Sequence, residues 1–253
     1  MSMIEVESQE GIALLRFARP PANTIELKSA RALEETLARL QADASVRALV
    51  ITGQGAFFSA GLDLKVVPTY DRSQQEAMVM AINRLLGHLY GLPIPTVAAV
   101  NGHAIAGGLV LALVCDQRIG RSGDYKLGLT ETRVAIPYPL VAMAVVRAEL
   151  TPAAARRLVL LARSGGPEEA LADGLLDELR PAEALLPRAV ELARELAALP
   201  RAAYGRIKRQ LRAPTLESID RALATGTDPL LEAWITGETA SAAETALTGS
   251  RRD

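Results

Sequence analysis

The spacing of apolar residues changes along the chain and marks out its elements. Residues 12–17 form a short apolar run behind a Glu10-Gly11 turn and predict a strand. Residues 27–41 place Ala30, Leu33, Leu37 and Leu40 on one helical face. Residues 46–52 and 96–100 are compact, mostly apolar runs, the pattern of buried strands. Between them, Ser73 followed by Glu76 predicts a capping box and a helix to about Leu89. Gly91-Leu92-Pro93-Ile94-Pro95 breaks it. A glycine turn from Gly102 to Gly108 then precedes a predicted buried helix over 109–114 and short strands over 117–120 and 125–127.

Strand, loop and helix recur in this order, which implies parallel strands with crossover helices. After Val141 the pattern becomes almost wholly helical. Thr151-Pro152 and Gly166-Pro167 predict helix starts, and Gly174 a helix end before a strand over 175–179. Helices are expected over 183–199, 201–211, 216–225 and 229–236, with a loose terminus over 248–253. The fold class is therefore α/β, with a core over 1–195 and a helical region over 196–253.

Composition narrows the classes. Of 253 residues, 49% are hydrophobic and 23% charged, enough for a large core. The net charge of −1 excludes a general nucleic-acid binder, which needs a basic excess. Arg206, Lys208, Arg209 and Arg212 form a local basic cluster, which reads first as a solvated helix face and second as a pocket for a phosphorylated ligand. The single cysteine, Cys115, lies in an apolar run and reads as core. No run is long enough to cross a bilayer, and the N-terminal stretch has no basic segment leading into an apolar one. A soluble, cytoplasmic protein with no membrane partner is expected.

Two glycine-bearing turns, at 53–63 and 102–108, follow apolar strands. A dinucleotide fingerprint would need glycine at Phe58, and a phosphate loop would need lysine at Gly108. Close packing of strand on helix is one remaining reading. The other is that two turns at the ends of parallel strands each aim an N–H at one point, as in an oxyanion hole. Ser59 lacks the glycine frame of a nucleophile elbow, and His88 and His103 do not make a triad convincing. No metal spacing is present in the sequence. Asp63 and Asp116 read as turn or helix-end acceptors. Glu131, between apolar segments, is either a solvated loop carboxylate or a proton shuttle with a raised pKa.

At these residues the chain resembles the crotonase (enoyl-CoA hydratase/isomerase) superfamily. Phe58-Ser59-Ala60-Gly61-Leu62-Asp63-Leu64-Lys65, Asn101-Gly102-His103-Ala104-Ile105-Ala106-Gly107-Gly108 with Cys115-Asp116, and Gly128-Leu129-Thr130-Glu131 with Pro137 are similar to its three signatures, in order. Arg19-Pro20 and Asn23 resemble its N-terminal loop for coenzyme A. The resemblance implies a crotonase-like spiral of ββα units with a C-terminal helical trimerisation region. It implies acyl-CoA thioester binding, a homotrimer or dimer of trimers, and no cofactor beyond the coenzyme A of the substrate. By the same match, Leu62 and Gly107 would supply the oxyanion-hole N–H groups, Glu131 the catalytic carboxylate, and Ala22, Ala60, Asp63, Leu64 and Gly108 substrate contacts.

One departure matters. Hydratases of the family carry two glutamates, and the first one's position is Val110 here. A single remaining carboxylate resembles the Δ3,Δ2-enoyl-CoA isomerases. Hydration, thioester hydrolysis, decarboxylation and a non-catalytic acyl-CoA-binding subunit are the alternatives.

Overall fold

The computed structural model of the chain describes residues 3–229 and, beyond them, Trp234, Thr236, Glu238, Thr239, Ser241, Ala242, Glu244 and Thr245. Strands β1 (Ile4–Gln9) and β2 (Ile12–Phe17) pair antiparallel, and helix α1 (Leu27–Ala42) follows. Two complete ββα units come next. The first is β3 (Ala48–Gly53), β4 (Phe57–Ser59) and α2 (Arg72–Tyr90). The second is β5 (Thr96–Val100), β6 (His103–Ile105) and α3 (Gly107–Leu113). Then β7 (Gln117–Arg121), β8 (Leu127–Gly128) and α4 (Leu140–Glu149) repeat the order with a longer connection.

Within each repeat the first strand enters one sheet and the second strand another. The larger sheet runs β1-β2-β3-β5-β7 and ends on β10 (Glu178–Arg180). The smaller runs β4-β6-β8 and ends on β9 (Ser164–Gly165). From β2 to β10 the larger sheet is parallel, so the crossovers bury both of its faces.

Alternation along each strand divides the core. Leu49 and Ile51 of β3 and Ala98 and Val100 of β5 share one core cluster with the buried residues of α1 and α2. Ala48, Val50, Val97 and Ala99 face the opposite way. That second face is covered by α7 (Ala182–Ala197), reached after α5 (Pro152–Ala155) and α6 (Pro167–Ala172). Leu185, Ala189 and Ala193 are its packing residues. The 195/196 division falls inside this helix, near its C-terminal end.

The local differences from the sequence reading have physical reasons. β1 carries mostly exposed polar residues, because it is an edge strand held by backbone pairing to β2. The cap of α2 is Asp71 with Gln74, while Glu76 pairs with Arg72 at 3.0 Å. The glycine turn contains a strand, β6, and α3 starts at Gly107 rather than residue 109. Leu175 and Leu176 are buried, yet the strand forms only at Glu178–Arg180. The expected helix over 229–236 falls mostly outside the described residues, and 248–253 wholly so.

The basic cluster splits. It lies on α8 (Arg201–Leu211) and just beyond, before α9 (Ala213–Ala224). Arg206 and Arg209 are exposed, but Lys208 and Arg212 are buried. Both reach Asp116, at 2.9 and 3.0 Å. Asp116 also accepts the Thr96 N–H at 2.9 Å and the Tyr204 hydroxyl at 3.0 Å. Arg212 lies over the Tyr90 ring, 4.0 Å from its centroid. Asp116 thus pairs with two buried cations, Arg212 also having Glu149 at 3.8 Å, and ties the C-terminal helices to the sheet. Asp116→Ala would leave both cations without this carboxylate, and is expected to cost about 3–5 kcal/mol. A lower denaturant midpoint with an unchanged slope checks this.

Candidate active site

The site begins where β4 and β6 run parallel and end side by side. Each strand leads into a turn, and the two turns touch. Gly61 has φ +74°, and a Cβ built there would sit 2.9 Å from the Gly107 nitrogen. Only glycine at 61 gives both the left-handed turn and this approach. A Cβ at Gly108 would lie 2.0 Å from the Ser59 carbonyl oxygen, so α3 packs directly on the β4 backbone there. Ala106, between these features, holds φ 54° and ψ −130°, an unfavourable region for an L residue.

This contact brings two N–H groups together. Ile25 donates to the Gly61 carbonyl at 2.7 Å and accepts from Asp63 N–H at 2.9 Å. These bonds flank Leu62, whose own N–H points away from Ile25, as parallel pairing requires. Gly107 opens α3, where an N–H has no acceptor within the helix. Neither N–H has a backbone or side-chain acceptor among the described residues.

Glu131 faces the same space. β8 returns the chain beside β6, and Glu131 starts a 3-10 turn, Glu131–Val134. It is 7% exposed. Burial away from water pushes its pKa up to about 7, against a smaller lowering from the Tyr138 hydroxyl and its own backbone N–H. Tyr138 donates to Oε2 of Glu131 at 2.6 Å. Burial and the neighbouring carboxylate hold the Tyr138 hydroxyl protonated, well above the usual phenol range.

These groups line a cavity of about 240 Å³. Ala60, Leu62, Leu64 and Gly107 form one side, and Ile82, Leu85 and Leu86 of α2 the other. Val110 of α3 lines it too, so the position of a possible second acid is apolar. Among the described residues, Glu131 and Tyr138 are its titratable lining residues.

Of the residues expected from sequence, the structure gathers Glu131, Leu62, Gly107, Ala60 and Leu64 around this space. Ala22, Asp63 and Gly108 do not line it. Ala22 sits next to it, accepting the Ala60 N–H at 2.9 Å. Asp63 accepts from Arg19 at 2.6 Å and Thr24 at 3.0 Å, which closes the N-terminal loop over the turn. Ser59 donates to the Asn23 carbonyl at 2.8 Å and takes the Gly61 N–H at 3.1 Å. His88 meets Gln41 at 2.6 Å, and His103 accepts the Lys126 N–H at 3.1 Å. No Ser-His pair forms among them. Cys115 is buried, with its thiol pushed up to about 12 by desolvation.

Sequence reasoning missed two things. The pairing of Tyr138 with Glu131 spans seven positions, and only the turn geometry closes it. The helical period of α2 was legible, but not that Ile82, Leu85 and Leu86 line a cavity.

Residues 7–245 match the family model described as enoyl-CoA hydratase/isomerase. The chain is 37% identical over 200 residues to a putative enoyl-CoA hydratase of Thermus thermophilus, covering 77% of this chain and 78% of that protein. It is 30% identical over 215 residues to the human mitochondrial enoyl-CoA delta isomerase 1, covering 84% and 71%. The crystal structure of human mitochondrial delta3-delta2-enoyl-CoA isomerase superposes with a TM-score of 0.87 at 26% identity, over 99% of this chain and 98% of that one.

The buried carboxylate makes a stability prediction. Its folded pKa lies above its ordinary value of 4.5, so the folded state holds the proton more tightly. Its contribution is therefore most favourable below pH 4.5 and is lost as pH rises to about 7. Glu131→Gln removes this loss. The variant is expected to gain about 3 kcal/mol on the parent between those two pH values. Denaturant unfolding at both ends of the window measures it.

Proposed function

The chain belongs to the enoyl-CoA hydratase/isomerase family, and from that premise we propose that it moves a double bond in an acyl-CoA, turning a 3-enoyl-CoA into the 2-enoyl-CoA. The observation that carries this reading is the single carboxylate, Glu131, in a cavity whose α3 side presents Val110. Isomerisation needs one group that takes a proton and returns it two carbons away. Hydration needs water positioned and activated while a proton reaches C2, and an apolar Val110 offers no help with that.

The steps balance within the substrate and Glu131. The C2–H bond breaks, a Glu131 O–H bond forms, and the electron pair moves onto the thioester oxygen through C2. Leu62 and Gly107 N–H groups would hold that oxygen as it gains charge. One such donor is worth about 3 kcal/mol in the transition state. The proton then goes to C4 as the electrons return, leaving the double bond between C2 and C3. A base with a pKa of about 7 can both accept and give back a proton near neutrality. The steps use no metal or redox group.

Hydration is the second reading, favoured by the name of the Thermus relative. For assembly, the family resemblance supports a homotrimer or dimer of trimers. Ile207 and Leu211 on α8, both largely exposed, are consistent with a covered surface. No helix among the described residues is long and apolar enough to cross a membrane, which is consistent with a cytoplasmic enzyme.

Two variants test the reaction. Glu131→Gln should lower isomerisation of 3-enoyl-CoA by about 10²–10⁴-fold. Fast hydration of 2-enoyl-CoA that survives this change would sink the single-base reading. Val110→Glu should raise hydration of 2-enoyl-CoA above the parent's level, by restoring a second carboxylate in the cavity. Both are read by separate turnover of the two thioesters.

A further inference from the structure

We propose that Tyr138 is a positioning residue for the base, its hydroxyl holding one oxygen of Glu131 and thereby setting both the direction and the proton affinity of the carboxylate. This deepens the isomerase reading and rests on it. Three observations carry the proposal. The first is the geometry, since the hydroxyl donates to Oε2 at 2.6 Å with both partners buried. The second is isolation. Around the cavity, α2 and α3 bring only apolar side chains, α4 brings Ala142, and the β4 turn brings Ala60 and Leu62. Among the described residues no charged residue lines the cavity with Glu131, and Tyr138 is the one side chain that bonds its carboxylate, the other donor being Glu131's own backbone N–H. The third is rigidity. Pro137 and Pro139 flank Tyr138, restricting the backbone on either side before α4 begins.

A buried carboxylate without partners would stay protonated well above neutrality and swing between rotamers. One neutral donor changes both properties. It stabilises the ionised form without neutralising it, so the base remains available. It also occupies Oε2, so Oε1 is the oxygen left to meet the substrate carbons. A cation in the same place would form an ion pair and depress basicity further. A phenol whose own proton is held firmly does not compete as an acid.

Tyr138→Phe keeps the ring and removes the donor. For 3-enoyl-CoA isomerisation, the rising limb of the pH–rate profile should move up by about one to two pH units. The kcat on the plateau should fall by about ten- to a hundredfold with KM unchanged, as expected for a misdirected base. A fluorinated tyrosine at 138, a stronger donor, should keep kcat and move the limb to lower pH. A limb that stays in place in both variants, with kcat intact, overturns the proposal.

A measurement without substrate separates this from the reaction itself. The protonated Glu131 carboxyl gives an infrared band, identified by its loss in Glu131→Gln. Its titration should shift upward in Tyr138→Phe. Equal titration in both proteins overturns the proposal whatever the activity. A shifted band in a protein that does not isomerise 3-enoyl-CoA supports the coupling and removes the isomerase reading instead.

Discussion

Backbone contact between the Gly61 turn and the Gly107 turn is the constraint on which the rest depends. It exists because β4 and β6 are neighbours in the smaller sheet, and they are neighbours because their parent strands β3 and β5 are neighbours in the larger one. The chain spends two consecutive ββα units to place two short turns side by side. The larger sheet supplies the burial, with its two faces packed by α1 and α2 on one side and α7 on the other. The smaller sheet adds Phe58, Ala104 and Leu127 to that core. Its role is to set register at the points where N–H groups are left free.

That division also locates the tolerance for strain. Ala106 sits in an unfavourable backbone region, and such a residue persists only where its surroundings over-determine it. Here its N–H is bonded to Gly128 at 2.8 Å, and its carbonyl accepts from Leu109 and Val110 at 2.9 and 3.2 Å. These bonds lock the residue directly before Gly107. Strain of about 1–3 kcal/mol per such residue is small against the burial around it. The same bonds hold β6, β8 and α3 together, so the N–H of Gly107 and the carboxylate of Glu131 belong to one rigid unit.

Much of this was legible in the sequence, for identifiable reasons. Buried strands such as β3 and β5 announce themselves as apolar runs, and α1 by the spacing of Ala30, Leu33, Leu37 and Leu40. The three motif segments pointed to Leu62, Gly107 and Glu131 because each is local. What stayed hidden was non-local. Lys208 and Arg212 looked like solvated charges because nothing in their segment reveals Asp116, which lies in another element 92 residues away in the case of Lys208. The edge strand β1 alternates only over Ile4-Glu5-Val6-Glu7, and just Ile4 of it packs against the core, so backbone pairing to β2 is what places it. Tyr138 is near Glu131 in sequence, but the αL conformation of Ala135, φ 52°, is what turns the chain back between them.

The electrostatics of the cavity follow from one asymmetry. Its walls are apolar where α2 and α3 line it, and among the described residues its polar groups lie at Thr130, Glu131, Tyr138 and the two free N–H groups. In such a space a developing negative charge is poorly screened, so fixed donors count for more than in water. The same walls make ionising Glu131 costly, which is why its proton affinity is high. A second carboxylate at Val110 would add a like charge and raise that cost further. With valine there, a single carboxylate keeps the proton affinity that the isomerisation we propose would need. The apolar side chain on α3 is therefore part of the chemistry: it keeps one carboxylate near balance between its two protonation states.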